Sequence, residues 1–313
     1  MFRFAVTVPP FTSMPAWRDQ LRAIEDAGFD TVVAADHFTG GWDVEPMVAL
    51  TAVAGATSRI RLGTALIVLP MREPVFFAKQ VATLDQLSQG RFILGVGLGA
   101  YREEFEHWGP RLAKARRGAM LDEGLAALEL LFRERVASFE GEFYAFKDVE
   151  MFPKPKQDPF PIFVGGHNLV AVERAARWGQ GWLPGWRPWN ELGERIQLLK
   201  RRAGELGRDP AAIEVAPQFS VTVAPTAEAA ERRYMASGLV AHRTSLAYTG
   251  RDLSQQVTAN LVGSPELVRE KIGQLAALGV DHACALMFPA DTIAEMREQI
   301  EWFAEVAGLK AES

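Results

Sequence analysis

The chain has 313 residues, 48% of them hydrophobic and 23% charged, the balance of a globular protein with a large core. Its 34 basic and 39 acidic side chains are mixed along the sequence and leave a net charge of −5, so no Lys/Arg block offers the phosphate-neutralising surface that nucleic-acid binding needs. The longest apolar stretch, Leu62 to Met71, is far too short to cross a bilayer, and the single cysteine, Cys284, excludes an internal disulfide and a cysteine-based zinc cage. The N-terminus enters a strand-like run at once, without a signal-peptide pattern, so the expectation is a cytoplasmic protein that neither enters membranes nor binds nucleic acid.

Along the chain, strand-like and helix-like runs alternate. Arg3–Pro9 is apolar and β-branched, and Pro15–Gly28 predicts a helix with Trp17, Leu21 and Ile24 on one face. Thr31–Asp36 and Arg61–Pro70 read as the second and third strands, each followed by a helix, the latter opened by Pro74. Arg91–Gly99 is the fourth strand, and Leu121, Leu125, Leu128 and Phe132 mark a long helix after it. Ser138–Phe152, with phenylalanines around Glu140-Gly141, predicts a β-hairpin, and Pro153, Pro155, Pro159 and Pro161 a stiffened connector. Pro161–Gly166, Gly181–Gly185, Ile213–Ala224 and His282–Pro289 complete the strands, with helices between them. Ser264-Pro265-Glu266 has the cap, first-turn proline and acidic residue of a helix start, and Ile293, Met296, Ile300 and Phe303 mark the closing helix. Eight such units predict a parallel sheet closed into a (β/α)8 TIM barrel, one domain over residues 1–313 with insertions near 138–160 and 237–263.

In a barrel of this kind, function sits at the C-terminal strand ends. Strand two ends in Asp36-His37-Phe38, followed by Trp42: a carboxylate, an imidazole and an indole that suit acid/base chemistry beside a flat wall, or else a turn cap and a backbone-bonded histidine. Strand three ends in apolar residues that cannot activate a nucleophile but can pack against a ring system or simply fill the core. Strand four carries Gly95, Gly97 and Gly99 in alternation, which lets a backbone or a flat ligand approach; the spacing is not a dinucleotide fingerprint. Gly165-Gly166 before a helix suits a phosphate on backbone N–H groups, or a tight turn. Trp182, Trp186 and Trp189 supply rigid apolar surface for a pocket or for the core, and Cys284 sits in an apolar strand as packing. The strand ends show no Schiff-base lysine, no metal-ligand cluster and no nucleophile elbow, which directs attention to a bound cofactor that carries the chemistry.

Several stretches in order along nearly the whole chain resemble the luciferase-like monooxygenase superfamily, especially its branch using the deazaflavin coenzyme F420. They include Glu25-Asp26-Ala27-Gly28-Phe29-Asp30, Ala35-Asp36-His37, Thr57-Ser58-Arg59-Ile60-Arg61-Leu62-Gly63-Thr64 and Ala82-Thr83-Leu84-Asp85-Gln86-Leu87-Ser88-Gln89-Gly90-Arg91. Gly95-Val96-Gly97-Leu98-Gly99 with Arg102-Glu103-Glu104-Phe105, Gly165-Gly166, Gly179-Gln180-Gly181-Trp182 and Gly263-Ser264-Pro265-Glu266 match as well. The resemblance implies a barrel with an isoalloxazine-type ring at its C-terminal mouth. It implies Asp36 near the ring, a cis peptide at Ala65-Leu66 directed toward it, Leu98 and Gly99 lining it, and Gly165 and Gly166 binding the cofactor phosphate. His37 and Trp42 would face a small-molecule substrate, His37 as the acid/base group, and no metal is implied. Where deazaflavin sugar-phosphate dehydrogenases carry a catalytic glutamate, this chain has Ala100, which argues against that activity and makes Glu103 the substitute to examine. The expected function is hydride transfer between coenzyme F420 and a small organic substrate. An FMN-dependent monooxygenase using reduced flavin and O2, and a non-catalytic flavin-binding barrel, are the alternatives. A homodimer is expected by analogy.

Overall fold

The computed structural model describes residues 2–38, 44–100, 102–109, 112, 114–245 and 253–309. In chain order the first elements are β1 (Arg3–Thr7), α1 (Met14–Asp26), β2 (Thr31–Ala34), α2 (Pro46–Ala56), β3 (Arg61–Thr64), β4 (Ile67–Val68), α3 (Pro74–Leu87), β5 (Phe92–Gly97), α4 (Arg102–His107) and α5 (Arg117–Arg133). A hairpin of β6 (Ala137–Glu140) and β7 (Ala145–Val149) follows, then β8 (Ile162–Gly165), α6 (Leu169–Trp178), β9 (Gly181–Leu183) and α7 (Trp189–Glu205). The last elements are β10 (Glu214–Val215), β11 (Gln218–Val223), α8 (Ala227–Met235), α9 (Gly238–Ser245), β12 (Leu261–Gly263), α10 (Pro265–Leu278), β13 (His282–Met287) and α11 (Ile293–Ala307). No described helix is long and apolar enough to cross a membrane.

The chain forms two compact units, residues 33–183 and residues 1–32 with 184–313. In the first, β3, β5, β8 and β9 pair in that order, all parallel, and β4 also pairs with β5. Every residue of β5 and β8 is buried, as expected for strands covered on both faces. In the second unit, β1 pairs with β13, β13 with β11, and β11 with β12, again all parallel.

Helix starts follow the local chemistry. Pro74 opens α3 while the Glu73 carboxylate accepts from the Val75 and Phe76 N–H groups at 3.2 and 2.8 Å. Ser264 caps α10 through Leu267 N–H, Pro265 sits in its first turn, and Gly279 closes it with φ +97°. The hairpin forms as the sequence predicts, antiparallel, and its turn is held by Glu123 of α5, which accepts from the N–H groups of Glu142, Phe143 and Tyr144 at 2.8, 2.9 and 3.3 Å. The proline-rich connector is tied down by Asp85, fully buried in α3, which accepts from the N–H groups of Lys156 and Gln157 at 2.7 and 3.0 Å.

Three features depart from the sequence reading. Strand three is not continuous: it divides into β3 and β4 around a cis Ala65–Leu66 peptide. Strand seven divides into β10 and β11 at Ala216-Pro217, where proline has no N–H to give the ladder. The 237–263 segment contains α9 and β12, neither marked by periodicity, and residues 246–252 lie outside the described set. The segment leading into β12 is held by Lys271, whose ammonium donates to the carbonyls of Val257, Asn260 and Val262 at 3.1, 2.8 and 3.0 Å.

At the N-terminal ends of β1, β10 and β13, the Glu214 carboxylate lies 2.6 Å from the Arg3 guanidinium and 2.9 Å from His282 Nδ1. Burial alone would raise the pKa of Glu214, but the hydrogen bond and charge of His282 and the charge of Arg3 outweigh it and hold the carboxyl below its ordinary range. The folded state therefore binds this proton less readily than the unfolded chain, so the pair stabilises the fold above the ordinary glutamate pKa and loses that stabilisation as pH falls through the lowered value. Replacing Glu214 by Gln should lower the unfolding free energy at pH 7 by about 1–3 kcal/mol. In urea melts against pH, the difference from the parent chain should shrink in acid.

Candidate active site

The end of β2 is fixed by one carboxylate. Asp36 is 4% exposed; one oxygen accepts the Val68 N–H at 2.9 Å and the other the Arg72 guanidinium at 2.8 Å. A buried carboxylate needs such donors to offset its lost hydration, and here they tie the end of β2 to β4. The Ala65 N–H adds a bond to the Ala34 carbonyl at 2.8 Å. Arg72 in turn lies over the Phe38 ring at 5.1 Å, and Phe38 meets Trp108 edge-on at 4.9 Å.

The alternating glycines have a definite use, and it resolves the choice left open by the sequence. A Cβ at Gly97 would lie 2.7 Å from Leu66 Cδ1, one at Gly165 2.1 Å from the same atom, and one at Gly95 2.0 Å from the Thr64 carbonyl oxygen. These residues thus make room for the protein's own Ala65–Leu66 segment rather than for a ligand directly. Gly99 has φ +80°, and a side chain there would meet Val68 and Phe105 at 3.0 and 3.1 Å. Ala65, Leu66, Leu98 and Gly99 are half-buried and leave an apolar floor at the strand ends.

Gly165 is buried and Gly166, with φ +108°, is half-buried at the entrance to α6. The Asn168 side chain caps α6 through the Ala171 N–H at 2.8 Å, and the first turn holds no acidic residue. Trp182, 1% exposed, belongs to the core and donates its indole N–H to the Gly166 carbonyl at 2.8 Å. Trp186 is buried with the Arg243 guanidinium 5.6 Å from its ring, and Trp189 donates to the Ala259 carbonyl at 3.3 Å. Cys284 is buried, and burial first, then the charge of Glu214, pushes its thiol up, so it stays a protonated packing residue.

His37 has 29% of its side chain exposed, and its Nδ1 lies 3.6 Å from Glu104 Oε1. Glu104 is 2% exposed and also accepts the Phe38 N–H at 3.1 Å. The sequence reading looked to Glu103 here. The helical phase of α4 turns Glu103 outward and Glu104 inward, beside buried Phe105. The signal was present in that phase, since Phe105 marks the inward side of the turn, but nothing local showed that the carboxylate beside it would meet strand two. Trp42 lies outside the described residues. The structure thus gathers Asp36 with Val68, Leu66 with Gly97 and Gly165, and His37 with Glu104.

The residues fit a flat ring with an anionic tail: an apolar, glycine-seated floor, followed by a helix start whose first-turn N–H groups suit an anion. They define an α/β protein with a candidate cofactor site at its parallel strand ends. The chain belongs to the luciferase-like monooxygenase family, whose model matches residues 6–282. It superimposes on a monooxygenase from Streptomyces bottropensis with a TM-score of 0.83 at 25% identity, over 97% of this chain and 98% of that one, and the fold is the (β/α)8 barrel with insertions expected from the sequence. An uncharacterized protein of Mycobacterium tuberculosis is 37% identical over 53% of this chain and 56% of its own length, so the chain spans little more than half of that relative. An F420-dependent glucose-6-phosphate dehydrogenase of Segniliparus rotundus is 31% identical over 65% of this chain and 63% of its own length. An FMNH2-dependent dimethylsulfone monooxygenase of Pseudomonas putida is 27% identical over 82% of this chain and 78% of its own length.

Replacing Asp36 by Ala would leave the Val68 N–H and the Arg72 guanidinium without their shared acceptor. The expected loss is about 3–5 kcal/mol of unfolding free energy, with Asp36→Asn losing less, read from denaturant midpoints at constant slope.

Proposed function

We propose that this chain is an oxidoreductase that moves a hydride between the deazaflavin coenzyme F420 and a small organic substrate. The observation that carries the reading is His37: a half-exposed imidazole at the end of strand two, backed by a buried carboxylate, on a strand end that Asp36 ties to the apolar floor. A hydride moving to or from carbon leaves a proton to be supplied or removed at the neighbouring oxygen or nitrogen, and an imidazole is suited to that transfer near neutral pH.

When bound, the coenzyme would supply the hydride chemistry. Ala65, Leu66, Leu98 and Gly99 would support its ring, Asp36 would keep that support in place, and the Gly165–Gly166 turn with the α6 start would take its phosphate. His37 would hold or release the substrate proton through its ring nitrogen. Exposed Ala100 offers no second proton-transfer group, so the substrate proposed is a small alcohol, imine or enone rather than a sugar phosphate. A cytoplasmic enzyme fits this reading.

A second reading, an FMN-dependent monooxygenase, is favoured by the broad coverage of the dimethylsulfone monooxygenase relative. Side-by-side fluorescence quenching with oxidised F420 and FMN separates the two: selective F420 binding supports hydride transfer, and selective FMN binding moves the monooxygenase ahead. If neither binds at micromolar concentration, both readings fail. His37→Ala should lower turnover about 10²–10⁴-fold while leaving cofactor affinity within a few-fold; unchanged turnover would sink the proposed role of His37.

A further inference from the structure

Glu104 is a carboxylate that reaches the candidate proton-transfer group from a different strand's loop. It rides on α4, directly after the glycine-rich end of β5, and its side chain is 3% exposed. One oxygen, Oε1, accepts the Phe38 N–H at 3.1 Å and faces His37 Nδ1 at 3.6 Å. The other, Oε2, is buried with no hydrogen-bond partner among the described residues. A buried carboxylate with unspent acceptor capacity favours any donor brought near it, because lost hydration has not been fully replaced.

We infer that Glu104 is a positioning residue for His37: it holds the neutral imidazole as the Nδ1–H tautomer, leaving Nε2 as the nitrogen that takes and returns the substrate proton. This rests on the proposed role of His37. The two ring nitrogens are not equivalent, and the partner of one decides which is protonated. A neutral imidazole in water favours the Nε2–H form, which would present a donor where an acceptor is needed for oxidising an alcohol. The separation of 3.6 Å is longer than a hydrogen bond. Such contacts commonly tighten when substrate fills a site. The Phe38 N–H bond, with Phe38 itself pinned by Trp108 and Arg72, keeps the carboxylate in range. With a bound coenzyme supplying the hydride acceptor, His37 Nε2 would take the proton of the substrate hydroxyl, the resulting cation would face Glu104, and Nε2 would return the proton to solvent.

The test uses the full chain labelled with ¹⁵N-histidine, with His37 assigned by its absence in His37→Ala. Only five histidines are present, so the spectrum is tractable. Long-range ¹H–¹⁵N correlation spectra above the imidazole titration range should show His37 as Nδ1–H in the parent chain. In Glu104→Gln, whose amide oxygen can still accept the Phe38 N–H, the Nδ1–H population should fall. In the same variant kcat should drop about 10–100-fold with the F420 dissociation constant unchanged. A parent spectrum with His37 as Nε2–H overturns the inference without any variant, as does a tautomer unmoved by Glu104→Gln. Failure of F420 and FMN to bind would defeat the functional reading instead, and the tautomer measurement would still decide the role of Glu104.

Discussion

Leu66 needs a place to go. Its side chain reaches across the ends of β5 and β8, and Gly97 and Gly165 stand where any Cβ would collide with it. A protein interior packs at near-crystalline density, so a leucine at this position and these two strand glycines form one steric unit. Strand three breaks around the same segment, with β4 resuming beside β5, and the half-buried surface of Ala65 and Leu66 becomes the floor of the candidate site. The glycines therefore serve a ligand at one remove: they seat the segment on which it would rest.

Electrostatics then locks that segment. Asp36 is too deeply buried to remain charged without donors, and it finds one in the backbone of Val68 and one in Arg72. The same device recurs elsewhere in this unit: Asp85 holds the connector at Lys156 and Gln157, and Glu123 holds the hairpin turn. In each case a charged acceptor on or beside a regular element organises an irregular segment through main-chain N–H groups, and charge-assisted bonds of this kind are stronger than neutral ones. Glu104 fits the pattern through Phe38, but its Oε1 also faces the His37 imidazole and its Oε2 is buried without a hydrogen-bond partner among the described residues.

The features separate by depth of exposure. Asp36, Asp85 and Glu104 are buried and hold geometry, whereas His37, Leu66, Leu98 and Gly166 are partly open, as the proposed ligand contacts would require. Trp182, which the sequence left open between pocket wall and core, belongs with the first group: its indole N–H is spent on the Gly166 carbonyl and ties down the turn before α6.

The order of strands and helices was legible in the sequence because each element carries its own signal: apolar runs for covered strands, helical spacing at Leu121, Leu125 and Leu128, and the Ser264-Pro265-Glu266 start. Family motifs drew Asp36, His37, the glycines and the Ala65-Leu66 pair into one list. What joins them is not local. The purpose of Gly97 and Gly165 depends on the Leu66 side chain and that of Gly95 on the Thr64 carbonyl, both far away in sequence, and the break at Pro217 on how far a ladder can continue without an N–H. Glu104 rather than Glu103 faces His37 because α4 docks with that phase against the end of strand two. The sequence by itself determined which residues bear charge, apolar volume or no side chain at all. Only the tertiary structure decided which of them meet, since packing and the pairing of buried charge are settled between segments far apart in the chain.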